Sequence, residues 1–175
     1  MKTTVMITIL IFSVFLGIPT TQADVVWTEG YHEINTGDII HERVSIYNDV
    51  HLNIYGAGCG YLETFNTTIT NWYNGEINYL LTNDNSIVNI YGGELDIGLG
   101  ASDNSQINLY ANEIQYHPTG GHWDNGWIGG RYSISNKHFD FDLWGQNTYS
   151  HLNFVPEPST LLLLGIGCLF LKRKK

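Results

Sequence analysis

The chain has 175 residues and a formal net charge of −9. All 17 acidic residues lie between Asp24 and Glu157, where Arg43, Arg131 and Lys137 are the only Lys or Arg residues, so this body carries about 14 net negative charges. This charge argues against a nucleic-acid-binding function, because nucleic-acid phosphates must be neutralised by Lys and Arg. The length of the body fits one domain.

The first 23 residues have the layout of a cleavable secretory signal. Lys2 lies in a short positive region, an apolar run extends from Val5 to Ile18, and Pro19 and a short polar segment lead to Ala23. This order predicts a signal helix over residues 1–23 that signal peptidase removes after Ala23. The apolar run is shorter than the roughly 20 residues of a spanning helix, which disfavours an uncleaved anchor.

Residues 24–48 precede the regular part of the sequence. They include Trp27 and the stretch EINTGDI, where Asn35 falls 18 residues before Asn53. We expect these residues to form a first, irregular coil that caps a stack of coils.

Residues 49–116 repeat with a period close to 18. The stretches HLNIYGA, ITNWYNG, IVNIYGG and QINLYAN align Asn53, Asn71, Asn89 and Asn108 at steps of 18, 18 and 19 residues. GEINYLL, GELDIGL and NEIQY align next, as do the turns TNDNS and ASDNS. This period, with β-branched strands and Asn, Asp, Gly and Ser turns, predicts an all-β fold: a parallel β-helix, or β-solenoid, with one repeat per coil.

Alternation within each repeat predicts which side chains face the interior. In the first strand of each coil these are Leu52, Ile54, Thr70, Trp72, Val88, Ile90, Ile107 and Leu109. In the second strand they are Cys59, Tyr61, Ile77, Tyr79, Leu81, Leu95, Ile97, Leu99, Ile114 and Tyr116. Cys59 therefore occupies a slot otherwise given to large hydrophobic residues, and we interpret it as a small buried residue and not as a reactive thiol.

Stacking the coils at about 4.8 Å predicts ladders of identical outward side chains. The aligned asparagines lie beside a tyrosine row formed by Tyr55, Tyr73, Tyr91 and Tyr110. We interpret both rows as stabilising the pairing of the coils. The alternative is a strip of flat aromatic rings with amide partners that binds a carbohydrate chain.

A third outward row is acidic and consists of Glu76, Glu94 and Glu113, flanked by Asp96. We interpret it as a solvated face, the alternative being a row bridged by a divalent cation. No calcium-binding loop motif occurs and the seven histidines lack metal-ligand spacing, so no metal site is predicted.

Residues 117–154 break the period. A Gly- and Trp-rich turn region is followed by alternating runs such as FDFDL and YSHLNF. Because the terminal repeats of a solenoid must protect its open edge, we expect an irregular β cap of two or three strands here.

Residues 155–175 read VPEPSTLLLLGIGCLFLKRKK. The apolar run begins with Leu161, Leu162, Leu163 and Leu164 and is closed by Lys172, Arg173, Lys174 and Lys175. These features predict a hydrophobic helix whose cations stay on the cytoplasmic side of the membrane. Ser159 and Thr160 extend this run to about thirteen helical residues, which span only ~20 Å of a ~30 Å hydrocarbon core, so the segment is a marginal anchor.

Pro156-Glu157-Pro158, the apolar run and the basic cluster together resemble the PEP-CTERM sorting signal of bacterial surface proteins. The resemblance implies that exosortase, a membrane enzyme, recognises the chain and cuts it near Pro156, Glu157 and Pro158. It also implies a precursor tethered to the inner membrane of a Gram-negative-type bacterium and a mature protein at the cell surface or in the extracellular matrix. Extracellular polysaccharide is a further implied partner.

Three functional hypotheses follow. The first is a non-enzymatic structural protein of the envelope or matrix, without a cofactor, since no nucleophile-elbow, zinc-protease or phosphate-loop motif occurs. The second is a carbohydrate-binding module that uses the Tyr and Asn rows. The third is a small polysaccharide lyase or hydrolase with Asp84, Asp96 and Asp103 as carboxylates, although Asp84 and Asp103 recur at one turn position, which favours a structural role.

Overall fold

The computed structural model describes residues 24–38, 41–56, 58–145 and 147–155. The predicted signal helix, its cleavage position at Ala23 and the predicted C-terminal helix with Pro156, Glu157 and Pro158 lie outside these residues. Within the described ranges, no helix has the length and hydropathy required to cross a bilayer.

Strands make up most of the described chain. In chain order they are β1 (Val25–Trp27), β2 (Tyr31–Ile34), β3 (His41–Ile46), β4 (His51–Ile54), β5 (Cys59–Thr64), β6 (Ile69–Trp72), β7 (Glu76–Thr82), β8 (Ile87–Ile90), β9 (Glu94–Ala101), β10 (Gln106–Leu109), β11 (Ala111–His117), β12 (Trp127–Tyr132), β13 (His138–Trp144) and β14 (Leu152–Phe154). One 3-10 turn, Thr148–His151, precedes β14.

The strands form two sheets that face each other across one core. Sheet A has the order β1-β3-β5-β7-β9-β13-β12-β11, and sheet B has the order β14-β10-β8-β6-β4-β2. From β3 to β10 the chain alternates between the sheets and each strand pairs in parallel with the strand one turn earlier. The predicted all-β solenoid is therefore confirmed, with about four regular turns.

The Asn column of sheet B is in register as predicted. Asn53 pairs with Asn71, Asn71 with Asn89, and Asn89 with Asn108. The inward residues predicted for these strands are all buried: Leu52, Ile54, Thr70, Trp72, Val88, Ile90, Ile107 and Leu109. The inward positions alternate correctly here because β4, β6, β8 and β10 are each only four residues long and stay regular, although the outward Asn53 of β4 is buried as well.

In sheet A, the inward assignment of Tyr61, Tyr79, Leu81 and Ile97 is wrong, since these side chains are only half-buried. The interior is filled by Cys59, Leu62, Thr64, Ile77, Leu80, Thr82, Leu95 and Leu99. Two half-buried residues in succession separate the first two inward positions of β5 and of β7, so the alternation shifts its phase within each strand. A period of two, applied along the whole strand, cannot detect this shift.

The change from an 18-residue to a 19-residue step arises at a bulge in β9. Ile77 pairs with Leu95, but Tyr79 pairs with Gly98, so β9 contains one more residue than β7 between these two pairs. After the bulge, Leu99 again points into the interior. The extra residue in the bulge makes the repeat one residue longer, which accounts for the 19-residue step from Asn89 to Asn108.

The turns that lead from sheet A to sheet B share one backbone conformation. Asn48, Asn66, Asp84 and Asp103 each have φ of 58°, in the left-handed region that Asn and Asp tolerate better than most residues. The carboxylate of Asp84 accepts a hydrogen bond from the backbone N–H of Asn66 at 2.9 Å. Asp84 and Asp103 are therefore turn residues of the coil.

Both ends of the stack differ from the alignment of the repeats within the chain. At the N-terminal end the partner of Asn53 is Glu33 and not Asn35, because β2 adds a further parallel strand to sheet B. At the other end β11, aligned as the second strand of a fourth repeat, pairs antiparallel with β12. Strand β13 then takes its place beside β9, and β14 completes sheet B.

One buried hydroxyl suggests a stabilising substitution. Thr70 is fully buried in a column otherwise occupied by Leu52, Val88 and Ile107, and its hydroxyl has no hydrogen-bond partner among the described residues. We expect Thr70→Val to raise the free energy of unfolding by about 1 kcal/mol, since it removes an unsatisfied polar group without changing the shape. Urea denaturation followed by circular dichroism measures this change.

Thr64 provides the matched control. It is equally buried, but its hydroxyl shares a 2.9 Å hydrogen bond with that of Ser86. Thr64→Val should therefore destabilise the protein by about 1 kcal/mol. Equal effects of the two substitutions would contradict the assignment.

Candidate functional site

The Asn column is a continuous hydrogen-bonded ladder. Each Nδ2 donates to the Oδ1 of the preceding rung: Asn71 to Asn53 at 2.9 Å, Asn89 to Asn71 at 2.9 Å, Asn108 to Asn89 at 2.8 Å and Asn153 to Asn108 at 3.2 Å. All amides therefore point the same way along the stack. The fifth rung, Asn153, was not among the asparagines aligned from the repeats, because the cap separates it from them in the sequence.

The tyrosine row stacks beside this ladder. Ring centroids lie 5.1 Å apart for Tyr55 and Tyr73, 4.9 Å for Tyr73 and Tyr91, and 4.2 Å for Tyr91 and Tyr110, with interplanar angles of 4°, 8° and 25°. Each internal ring therefore covers the faces of its neighbours and presents its edge to solvent. Because sugar rings pack on open aromatic faces, this geometry favours a stabilising role for the row.

The acidic row is shorter than the sequence predicts. Glu76 and Glu94 are in register, but Glu113 lies on β11 and forms an ion pair with Arg131 at 3.3 Å, so its place as a third rung is wrong. The Lys137 ammonium contacts the Glu94 carboxylate. In the part of the chain that the structure describes, no group of three or more His, Cys, Asp and Glu side chains is arranged to hold a metal ion.

Cys59 is buried at the start of β5. Burial raises the pKa of its thiol to about 12, so the thiolate is not populated near neutral pH. This environment agrees with its interpretation as a small core residue.

The outer face of sheet A carries an aromatic cluster that includes Tyr61 and Tyr79, which alternation had predicted to face the core. Tyr61 and Tyr79 stack at 4.5 Å, and the Arg43 guanidinium lies 5.2 Å from the centre of the Tyr61 ring. Trp123 and Trp144 extend the cluster, with centroids 6.0 and 6.3 Å from that of Tyr79. The cluster thus joins the regular coils to the cap.

The antiparallel cap sheet contains a depression of about 330 Å³ on its outer face. Its central row runs from Gln115 on β11 through Gly129 on β12 to Asp140 on β13. A Cβ at Gly129 would lie 3.0 Å from the Trp127 ring, so a side chain at this position would crowd the floor. The absence of a side chain at the centre of the row creates the hollow.

Charged side chains border one end of the depression. Glu113 lies at a β-bulge in β11 and has a φ of 53°, a left-handed conformation that is uncommon outside glycine. Bulges of this kind change the direction in which a side chain points. Its carboxylate pairs with Arg131, which also donates from a guanidinium nitrogen to the Asn136 carbonyl at 3.1 Å and is the register partner of His138. The site could not be predicted from the sequence, because its residues do not repeat with the coil.

The last strand leads directly into the segment that resembles a sorting signal. Strand β14 ends at Phe154, and the backbone N–H of Val155 still donates to the Leu109 carbonyl at 3.0 Å. Pro156 follows at once, and proline lacks the N–H that would continue the parallel pairing. The folded body therefore extends to the residue before the PEP triplet.

Comparison with known families identifies this C-terminal segment. Residues 154–175 match the family model described as the PEP-CTERM protein-sorting motif. Searches of curated proteins and of solved structures found no match. The predicted sorting motif is thus confirmed, and it indicates an exported surface protein of Gram-negative bacteria that is processed at the membrane by an exosortase.

Proposed function

We propose that this protein is a non-enzymatic structural component of the cell envelope or extracellular matrix, held briefly at the membrane by its C-terminal segment and then released by exosortase. The observation that carries the proposed anchoring and release is the position of the sorting motif, which begins at the last residue of β14. A cut near Pro156, Glu157 and Pro158 would leave every described strand intact.

The chemistry of the body supports a structural role. Within the Asn ladder each amide bonds to the next amide, and within the tyrosine row each ring stacks on the next ring. The coils are therefore stabilised by side-chain contacts as well as by backbone pairing. The body also carries about 14 net negative charges, which keeps separate copies apart in solution.

Mass spectrometry of the protein recovered from its host tests the proposed processing. The wild-type protein should lack residues 1–23 and the basic end formed by Lys172, Arg173, Lys174 and Lys175. Simultaneous substitution of Pro156, Glu157 and Pro158 by alanine should leave the basic end in place and hold the protein in the membrane fraction.

The control is Tyr73→Ala, an exposed change in the body that should leave the processing unaltered. Recovery of wild-type protein from outside the cell with Lys175 still attached would contradict the proposal.

A further inference from the structure

The depression on the cap sheet has hydrogen-bonding capacity that the protein does not use. Among the described residues, the Trp127 indole N–H, the Gln115 amide, the His138 imidazole and the Asp140 carboxylate make no hydrogen bond, yet all four side chains line one hollow. By contrast, the nearby Asp142 carboxylate accepts from the backbone N–H of His122 at 3.0 Å. The four groups therefore remain available to a ligand.

The mixture of these groups selects the ligand class. An anion would use only the donors and would meet the Asp140 carboxylate, whereas a cation would use only acceptors and leave the indole and amide donors unpaired. A hydroxyl group both donates and accepts, so a ligand with several hydroxyls satisfies all four groups. Glu113 and Arg131 neutralise each other at the border of the hollow, which further favours an uncharged ligand.

The aromatic side chain adds an apolar surface beside these polar groups. Trp127 stacks on His117 with centroids 4.0 Å apart and an interplanar angle of 10°, so the ring is held in one orientation. Its six-membered ring also borders Gly129 on the floor of the hollow. His117 covers one face of the Trp127 ring, whereas an internal tyrosine has neighbours on both faces, and the Trp127 ring also has unpaired hydrogen-bonding groups next to it in the hollow.

The shape of the site suits a ligand that continues beyond it. A second hollow of about 220 Å³ adjoins the first along His138 and Asp140 and reaches the Lys137 and Glu94 pair. Burial, followed by the charge of Asp142, raises the pKa of Asp140, while His138 and His117 act in the opposite direction. The Asp140 side chain is nonetheless exposed, so its carboxyl group is accessible to a ligand.

We propose that the cap depression binds a sugar unit of a neutral glycan, with Trp127 providing the apolar contact and Gln115, His138 and Asp140 the hydrogen bonds. This assignment goes beyond the structural role proposed above and does not depend on the processing of the C-terminal segment. It also places carbohydrate binding on the cap and not on the tyrosine row.

The test uses the exported protein purified from its host and a panel of oligosaccharides measured by isothermal titration calorimetry. The panel contains neutral oligomers of glucose, mannose, galactose and N-acetylglucosamine, anionic oligogalacturonate and cationic chitosan oligomers. We expect binding to at least one neutral series. Asp140→Asn, which keeps the shape of the side chain, and Trp127→Ala should each weaken that binding by about tenfold or more.

Two matched controls locate the site. Asp96→Asn changes an exposed carboxylate in the β9 bulge, and Tyr73→Ala removes an exposed ring from the tyrosine row, so both should bind as the wild type does. The proposal is overturned if no neutral oligomer binds, if only the anionic or cationic oligomers bind, or if Tyr73→Ala abolishes binding while Asp140→Asn retains it. Thermal unfolding of each variant verifies its fold.

Discussion

Replacing Trp72 by alanine is expected to lower the free energy of unfolding by about 3–5 kcal/mol. Trp72 is completely buried between the two sheets, and its indole N–H donates to the Asn74 carbonyl at 3.1 Å. Gly93, with φ of +111°, leaves room for the ring, since a Cβ there would lie 2.3 Å from it. Truncation would therefore leave a large cavity within one turn of the solenoid.

Urea denaturation followed by circular dichroism measures this loss, and Trp144→Ala is the matched control. The Trp144 side chain is 43% exposed at the end of β13, so its removal should cost about 1 kcal/mol or less. If the two tryptophans contributed equally, the stability of the protein would not reside in the core between the sheets.

The second large effect is expected for Asn89→Asp, in the middle of the hydrogen-bonded ladder. The substitution removes the Nδ2 group that donates to Asn71 Oδ1 at 2.9 Å and places a carboxylate oxygen against that acceptor. It keeps an acceptor for the amide of Asn108, which donates at 2.8 Å. We expect a loss of about 2 kcal/mol near pH 7, from one lost hydrogen bond and the repulsion between two oxygens.

The loss should depend on pH in a defined direction. The fold disfavours the charged form of the introduced carboxyl, so its pKa in the folded protein lies above the unfolded value of about 3.9. The difference between variant and wild type should therefore shrink as the pH falls through the raised pKa, because the protonated group donates again.

Urea denaturation of both proteins at pH 7 and at pH 4 measures this difference. Asn153→Asp, on the exposed last rung, is the control and should show a smaller loss at pH 7. A pH-independent loss would exclude donation along the ladder as its cause.

Most of the fold was predictable from the repeat of 18 to 19 residues in the sequence. Four asparagines at nearly equal steps were enough to predict the parallel register of sheet B, because residues of one column must recur once per turn. The same reasoning failed for Tyr61 and Tyr79. Their strands shift phase between Cys59 and Leu62 and between Ile77 and Leu80, and alternation alone carries no information about such a shift.

The cap and its depression depend on contacts that do not repeat. Gln115, Gly129 and Asp140 become neighbours only because β11, β12 and β13 pair antiparallel, and no spacing in the sequence encodes that arrangement. The bulge at Glu113 likewise follows from its pairing with β12. By contrast, the sorting motif was recognisable from the sequence, since it is a linear signal that an enzyme reads along the chain.

The polarity of the Asn ladder has a consequence for contacts between copies of the protein. Every amide of the ladder donates towards the N-terminal end, so the Nδ2 of the last rung, Asn153, is used on Asn108, and the Asn153 Oδ1 accepts no hydrogen bond from the described residues. At the opposite end the column begins with Glu33, a carboxylate that accepts from the Tyr31 hydroxyl at 2.6 Å. If β14 of one molecule met β2 of another, acceptor would oppose acceptor, so the ladder that joins the turns within one chain resists end-to-end growth into a filament.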